Sequence, residues 1–219
     1  MERLSRKELA DLVSSDGPGI SSNQRDEMAI PTYLHWNPLI QWLFWRRYEV
    51  IAKMLGRRGD DAILEFGCGI GTFLPELARH HGKVYAIDLV PHYAKLVDSR
   101  MNLGIIFPGS IDEVADRSLN AIVAADVLEH VENLQALLVS MRSKLADDGT
   151  LIISGPTENI AYRIGRFFAG FGGKADYHHT NIDHIIQTAL SVGFRIVGSV
   201  DLPFPLPPTL FRVCALARG

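Results

Sequence analysis

Cysteine is scarce in this chain, with only Cys68 and Cys214 among 219 residues. Two thiols make no disulfide framework, so stability has to come from a packed core, and a reducing compartment is expected. An excess of charge of one sign is lacking too. The 22 Lys and Arg against 25 Asp and Glu leave a net charge of −3. That balance argues against a general nucleic-acid binder, because neutralising phosphates takes clustered cations. No apolar run reaches the roughly 18 residues of a membrane span, and the opening Met1-Glu2-Arg3-Leu4-Ser5-Arg6-Lys7 does not read as a signal peptide. A cytoplasmic protein is therefore expected. Internal repeats and low-complexity segments are also missing. What remains is ordinary globular material, 47% hydrophobic and 21% charged, enough for one large domain or a domain with a cap.

The most informative stretch is Ile63-Leu64-Glu65-Phe66-Gly67-Cys68-Gly69-Ile70-Gly71-Thr72. It reads as a buried strand ending in an acid, then a turn with glycine at every second position. Such glycines admit positive φ and let a ligand approach the main chain. Pro75 and the stripe Leu74, Leu77 and Ala78 signal a helix directly afterwards, so the loop would deliver backbone N–H groups at a helix N-terminus. A nucleotide-like cofactor is implied, although a tight turn can also need glycines for packing only. A dinucleotide fingerprint would require glycine at position 72, which is Thr72. Glu65 would repel a pyrophosphate but suits an ammonium. S-adenosylmethionine (SAM), with an ammonium, a sulfonium and no phosphate, is favoured over NAD.

A second apolar run, Val84-Tyr85-Ala86-Ile87, ends in Asp88, 17 residues after Gly71. An acid there is placed to accept both ribose hydroxyls, as in doubly wound nucleotide sites. Its plainer use is as a cap for the helix beginning near Pro91. Residues 1–57 read as a helical cap, with a short helix carrying Leu4, Leu9, Leu12 and Val13 and a longer one over Pro38–Leu55. From 58 to 219 strands and helices alternate, the pattern of a parallel sheet covered on both faces. Strands are expected near 62–66, 83–88, 104–107, 121–125 and 150–154. Helices follow at 133–145 and 181–192, with Asp147-Asp148-Gly149 as a turn between the first of them and the fifth strand. A closing antiparallel pair spans Phe194–Val200 and Thr209–Leu216.

After the run Ala121–Ala125 comes Asp126-Val127-Leu128-Glu129-His130-Val131. The glycine loop, Asp88 and this hexad, in that order and spacing over roughly residues 50–217, resemble the class I SAM-dependent methyltransferases. The likeness is to the small-molecule and lipid methyltransferases that carry a D/E-V-L-E-H-V segment. It implies an α/β, Rossmann-like doubly wound sheet of seven strands in the order 3-2-1-4-5-7-6, strand 7 antiparallel. It also implies a cofactor set. Glu65 and the loop Gly67, Cys68, Gly69 and Gly71 would hold the methionine end, and Asp88 with Leu89 the ribose side. Ser110 and Ile111 would meet the adenine, and Asp126 with Val127 complete the set. Many relatives have an acid where Ser110 stands, so its hydroxyl would be a weaker substitute.

In ubiquinone-type O-methyltransferases a related hexad is associated with a divalent ion, which would fall here on Asp126, Glu129 and His130. Helix-start acids and a structural histidine explain the same residues. Two carboxylates and one histidine make only a modest magnesium site, and no metal is expected. His178 and His179 precede the sixth helix, where the resembled group commonly has a histidine beside the acceptor. A neutral imidazole there could take the proton from a hydroxyl acceptor; alternatively the pair only caps the following helix. The helix with Trp36, Trp42, Phe44, Trp45, Arg46, Arg47 and Tyr48 has two readings, a roof over the acceptor site or a peripheral membrane contact, the roof being preferred. The expected activity is methyl transfer from SAM to a small or lipid-like acceptor at oxygen, releasing S-adenosylhomocysteine. A non-catalytic SAM-binding regulator remains open, and an NAD-dependent oxidoreductase is disfavoured by Thr72 and Glu65.

Overall fold

Apolar residues alternating in and out of a twisted sheet organise the molecule, seen here as a computed structural model that describes residues 3–14, 30–56, 59–157, 180–204 and 209–219. Among the described residues there are six strands: β1 (Ala62–Phe66), β2 (Lys83–Ile87), β3 (Leu119–Ala125), β4 (Leu145–Pro156), β5 (Phe194–Leu202) and β6 (Phe211–Arg218). They form one mixed sheet in the order β2-β1-β3-β4-β6-β5. Neighbours among β2, β1, β3 and β4 are parallel, whereas β6 runs antiparallel to both β4 and β5.

Ile63, Val123, Ile152 and Val213 point to one face, and Leu64, Ile122, Ile153 and Cys214 to the other. Helices cover both. On the first face lie α1 (Arg6–Ser14), α2 (Ile30–Tyr33), α3 (Pro38–Leu55), α4 (Leu74–His80) and α5 (His92–Met101). On the second lie α6 (Leu134–Lys144) and α7 (Ile182–Ser191). The N-terminal helices have no separate core: Leu9, Leu12, Trp45 and Ile51 are buried in the same cluster as the sheet residues.

The strand expected at 104–107 is replaced by a single bridge. Ile106 N–H donates to Val84 O at 3.0 Å, and Ala86 N–H donates to Ile106 O at 2.9 Å. Extension fails on both sides for local reasons. The next donor in the ladder would be residue 108, a proline without an N–H, and Gly104 has left the extended region with φ +75°. The expected turn Asp147-Asp148-Gly149 lies inside β4. Leu119 pairs with Leu145 and Ala121 with Thr150, so residues 146–149 bulge from the ladder. Helix α3 occupies the expected span. Asn37 accepts from Leu39 N–H at 2.9 Å and Pro38 fills the first turn.

Candidate cofactor and acceptor site

β1 has β2 on one side and β3 on the other, so chain order reverses there. In open α/β sheets the crevice beyond the strand ends at such a point is where ligands bind. A cavity of about 400 Å³ occupies it, walled by residues 66–70, by Ile87–Val90 and by Ala125–Val127, with Tyr33, Arg47 and Tyr48 above.

The turn after β1 is shaped by left-handed glycines, Gly67 at φ +77°, Gly69 at +52° and Gly71 at +76°. Two of them also let other elements approach. A Cβ on Gly67 would stand 2.6 Å from Cβ of Val127, and one on Gly71 would stand 2.9 Å from Cα of Ala94. Packing and ligand access are thus both reasons for the motif. Four amides of this loop are hydrogen-bonded within the protein. Gly67 and Cys68 N–H both donate to Ile87 O, Gly71 N–H donates to Cys68 O, and Gly69 N–H donates to Asp88 Oδ2 at 2.7 Å. Asp88 Oδ1 accepts from Val90 N–H at 2.9 Å. Its carboxylate therefore links the loops after β1 and β2 while facing the cavity, and each oxygen keeps lone-pair capacity for a hydroxyl.

Glu65, the next-to-last residue of β1, is buried one residue before the cavity wall begins at Phe66, with Oε2 lacking a hydrogen-bond partner. Burial, and then the nearby Asp88 charge, push its carboxyl well above the usual carboxylate range. A cation arriving beside it would relieve that cost. Burial, then Glu65 and Asp88, likewise push the Cys68 thiol up, so Cys68 acts as a small neutral residue.

Thr72, the residue that broke the dinucleotide fingerprint, is buried and donates its hydroxyl to Tyr48 Oη at 3.4 Å. Tyr48 stacks on Phe73 at 4.6 Å. Burial foremost holds its phenol well above its usual range, so it stays neutral. One residue earlier on α3, Arg47 is only 2% exposed. Its guanidinium lies over Phe44 at 4.6 Å and over Tyr48 and Phe211 at 5.5 Å. It pairs with Asp126, which adopts a left-handed φ of +52° and whose Oδ1 accepts from Ser154 Oγ at 2.9 Å. Sequence reading missed the inward roles of Arg47, Tyr48 and Tyr33. Helical phase could have found the first two, since Phe44, Arg47, Tyr48 and Ile51 share one face and Arg46 does not.

Gly67, Cys68, Gly69, Asp88, Leu89, Asp126 and Val127 are brought together on the cavity wall, and Leu89 stands fully exposed at its rim. Gly71 lies one residue beyond the walled segment. Ser110 and Ile111 do not line the cavity. Ser110 Oγ accepts from Asp112 N–H as the cap of a 3-10 turn, and Ile111 is buried in the second-face core; Gly109 lines the wall instead. His130 lines it too, in a role the sequence had not assigned. His178 and His179 lie outside the described residues. Among the described residues, no three His, Cys, Asp or Glu side chains gather as a metal-binding group.

A family model described as a methyltransferase domain matches residues 41–195. A ubiquinone biosynthesis O-methyltransferase, mitochondrial, of Schizosaccharomyces pombe is 24% identical over 171 residues, 67% of this chain and 62% of that protein. The chain thus spans less than two thirds of that relative's length. Among solved structures, magnesium protoporphyrin IX methyltransferase from Synechocystis PCC 6803 with bound S-adenosylhomocysteine superposes with TM-score 0.66 and 16% identity. The match covers 90% of this chain and 95% of that one. N-methyltransferase NodS from Bradyrhizobium japonicum, also bound to S-adenosylhomocysteine, gives TM-score 0.65 and 19% identity over 90% and 96%. The family match covers more than half of the chain, from α3 to β5, and the chain belongs to the class I SAM-dependent methyltransferases.

Proposed function

We propose that this protein moves a methyl group from SAM to an oxygen of a small, lipid-like acceptor, releasing S-adenosylhomocysteine. The observation that carries the reading is the cavity itself, where Asp88 and the open glycine turn face a ceiling of Tyr33, Tyr48 and the aromatic-clad Arg47. SAM supplies a methyl group made electrophilic by the sulfonium. Asp88 would accept the ribose hydroxyls, Leu89 would cover an apolar ring at the rim, and the buried carboxylate of Glu65 would compensate the ammonium. Ser110 and Ile111 keep their assignment beside the adenine as part of this proposal, with Gly109 between them and the cavity. Arg47 and His130 are the basic side chains on the described wall.

A lipid-like acceptor suits the aromatic ceiling. The Schizosaccharomyces relative, whose name places it in ubiquinone biosynthesis, lends that class support. In-line attack by an ionised hydroxyl needs alignment above all. His178 and His179 are our proposed proton acceptors, and glutamine at either should lower turnover by roughly 10²–10⁴-fold if it is the base. Near-normal kcat in both variants would remove that role and leave positioning. The whole proposal is tested by calorimetry with SAM, S-adenosylhomocysteine and NAD, followed by labelled SAM with phenolic acceptors bearing isoprenoid tails. Binding of SAM with no product from any acceptor would leave a binding protein rather than an enzyme. Absence of SAM binding would end the proposal.

A further inference from the structure

We propose that Trp36, Leu39 and Trp42, with Phe204, form a docking surface for the interfacial layer of a lipid bilayer. Trp36 is 78% exposed, Leu39 70% and Phe204 63%, and Trp42 is exposed as well. Single exposed apolar residues are ordinary, but four large ones clustered on a surface mark an interaction site. They do cluster. Leu39 and Trp42 stand one helical turn apart on α3, Trp36 precedes them in the turn from α2, and the Trp42 and Phe204 rings are 6.3 Å apart.

The tip is held rigid. Arg6 Nη2 donates to Leu34 O at 3.2 Å, Asn37 N–H donates to His35 Nδ1 at 3.0 Å, and the His35 ring stacks on Trp36 at 5.6 Å. A preformed wedge loses little conformational freedom on insertion.

Two features select a bilayer over a protein partner. From Ile30 to Trp45 the chain has no Asp, Glu, Lys or Arg, so nothing in the patch could fix a partner's register by charge, whereas tryptophans favour the membrane interface. The patch also shares its helix with the cavity. The helix that exposes Leu39 and Trp42 places Arg47 and Tyr48 on the cavity wall, so an acceptor drawn from the bilayer would enter beside its own docking surface. That last link rests on the lipid-like acceptor proposed above. Arg3 and Arg46 share Glu49 and Arg6 is engaged on Leu34 O, while the patch itself carries no Asp, Glu, Lys or Arg, so insertion is apolar rather than electrostatic. Among the described residues no helix is long and apolar enough to cross a membrane, which makes the contact peripheral.

The test is flotation of the full chain with vesicles of phosphatidylcholine alone and of phosphatidylcholine with phosphatidylglycerol, with tryptophan emission recorded. Wild type should float with both, shift its emission to the blue, and respond little to added salt. Trp36→Ser with Leu39→Ser should lower partitioning by at least about tenfold, whereas Trp36→Phe should retain most of it. Circular dichroism and SAM affinity should be unchanged in all variants. Wild type that stays off the vesicles, or a double variant that floats equally well, would overturn the proposal. So would a concentration-dependent dimer abolished by the same substitutions, which would assign the surface to a second copy of this chain. Vesicle binding needs no acceptor, so flotation without methyl transfer would count against the function and support the docking surface.

Discussion

Alanine at Gly67 is the sharpest perturbation of the cofactor turn, because two independent costs meet at one atom. Gly67 holds φ at +77°, where a side chain costs roughly 1–2 kcal/mol. The added carbon would also stand 2.6 Å from Cβ and 2.9 Å from Cγ1 of Val127, and closer still to Cγ2. Relieving such overlap in packed surroundings costs roughly 1–3 kcal/mol. The sum, roughly 2–5 kcal/mol, is a large share of a domain's typical stability of about 5–15 kcal/mol. Urea unfolding of Gly67→Ala should show the unfolding free energy fall by that amount, with a lower midpoint at constant m, and SAM affinity should fall with it as the loop shifts. Val127→Ala removes two of the three colliding carbons. In the double variant it should therefore return part of the loss, a coupling of roughly 0.5–3 kcal/mol, while the φ cost stays. A loss below about 1 kcal/mol for Gly67→Ala, or strictly additive single effects, would refute the collision as the reason for this glycine.

Asp88→Ala should weaken SAM affinity by at least about tenfold. It should also cost roughly 1–3 kcal/mol in unfolding free energy, because Gly69 and Val90 N–H lose their acceptor; an unchanged dissociation constant would place the ribose elsewhere. With the Glu65 carboxyl held well above its usual range by burial and then Asp88, the native protein retains a proton that the unfolded chain releases. Stability should therefore fall as pH rises from the ordinary glutamate value through the raised native one. Glu65→Gln should flatten that fall, raise the neutral-pH melting midpoint and weaken SAM binding, with calorimetry in two buffers detecting proton release on SAM binding to wild type only. Arg47→Met leaves the partly buried Asp126 without its cation and should cost roughly 1–3 kcal/mol. Adding Asp126→Asn should return part of that loss in chemical denaturation, and strict additivity would mean the pair is not coupled.

Most elements were legible because their signals are local. Asn37-Pro38 opens α3 and Gly56 closes it at φ +70°, and the apolar runs mark the strands within a few residues. The glycine turn after β1 and the position of Asp88 on the cavity wall were legible for the same reason, since each is an acid or glycine at a strand end. The failures depend on partners distant in sequence. Residues 104–107 carry strand-like side chains, but whether they pair is decided by the missing N–H of Pro108 and by the edge of β2. The direction of the loop amides is set by Ile87 O and Asp88, which belong to the next strand. The ion pair of Asp126 was illegible because nothing nearby announces its partner; Arg47 lies 79 positions earlier. The local use of Ser110, whose hydroxyl caps its own turn, is visible in sequence only as a serine two residues before an aspartate.

The two readings that the aromatic helix left open divide along its length. Toward the C-terminal half of α3, the packed residues answer to the site. Tyr48 accepts from Thr72 in the turn after β1, Arg47 pairs with Asp126 after β3, and Phe44 meets Phe211 of β6 at 5.5 Å. Contacts beyond β1, just after β3 and at the start of β6 thus fix the helix, and Arg47 and Tyr48 line the cavity there. A buried ion pair adds little net stability over an apolar substitute, but it penalises every arrangement that separates the two charges. Arg47 and Asp126 therefore set where α3 sits more than how firmly the domain holds. The N-terminal half has no comparable demand, since Leu39 and Trp42 reach no strand end and stay exposed. One amphipathic helix thereby gives its inner residues to the cavity and leaves its outer ones for a surface. The same phase that hides Arg47 exposes Trp42, so rotating α3 to bury the tryptophan would pull the arginine from its acid.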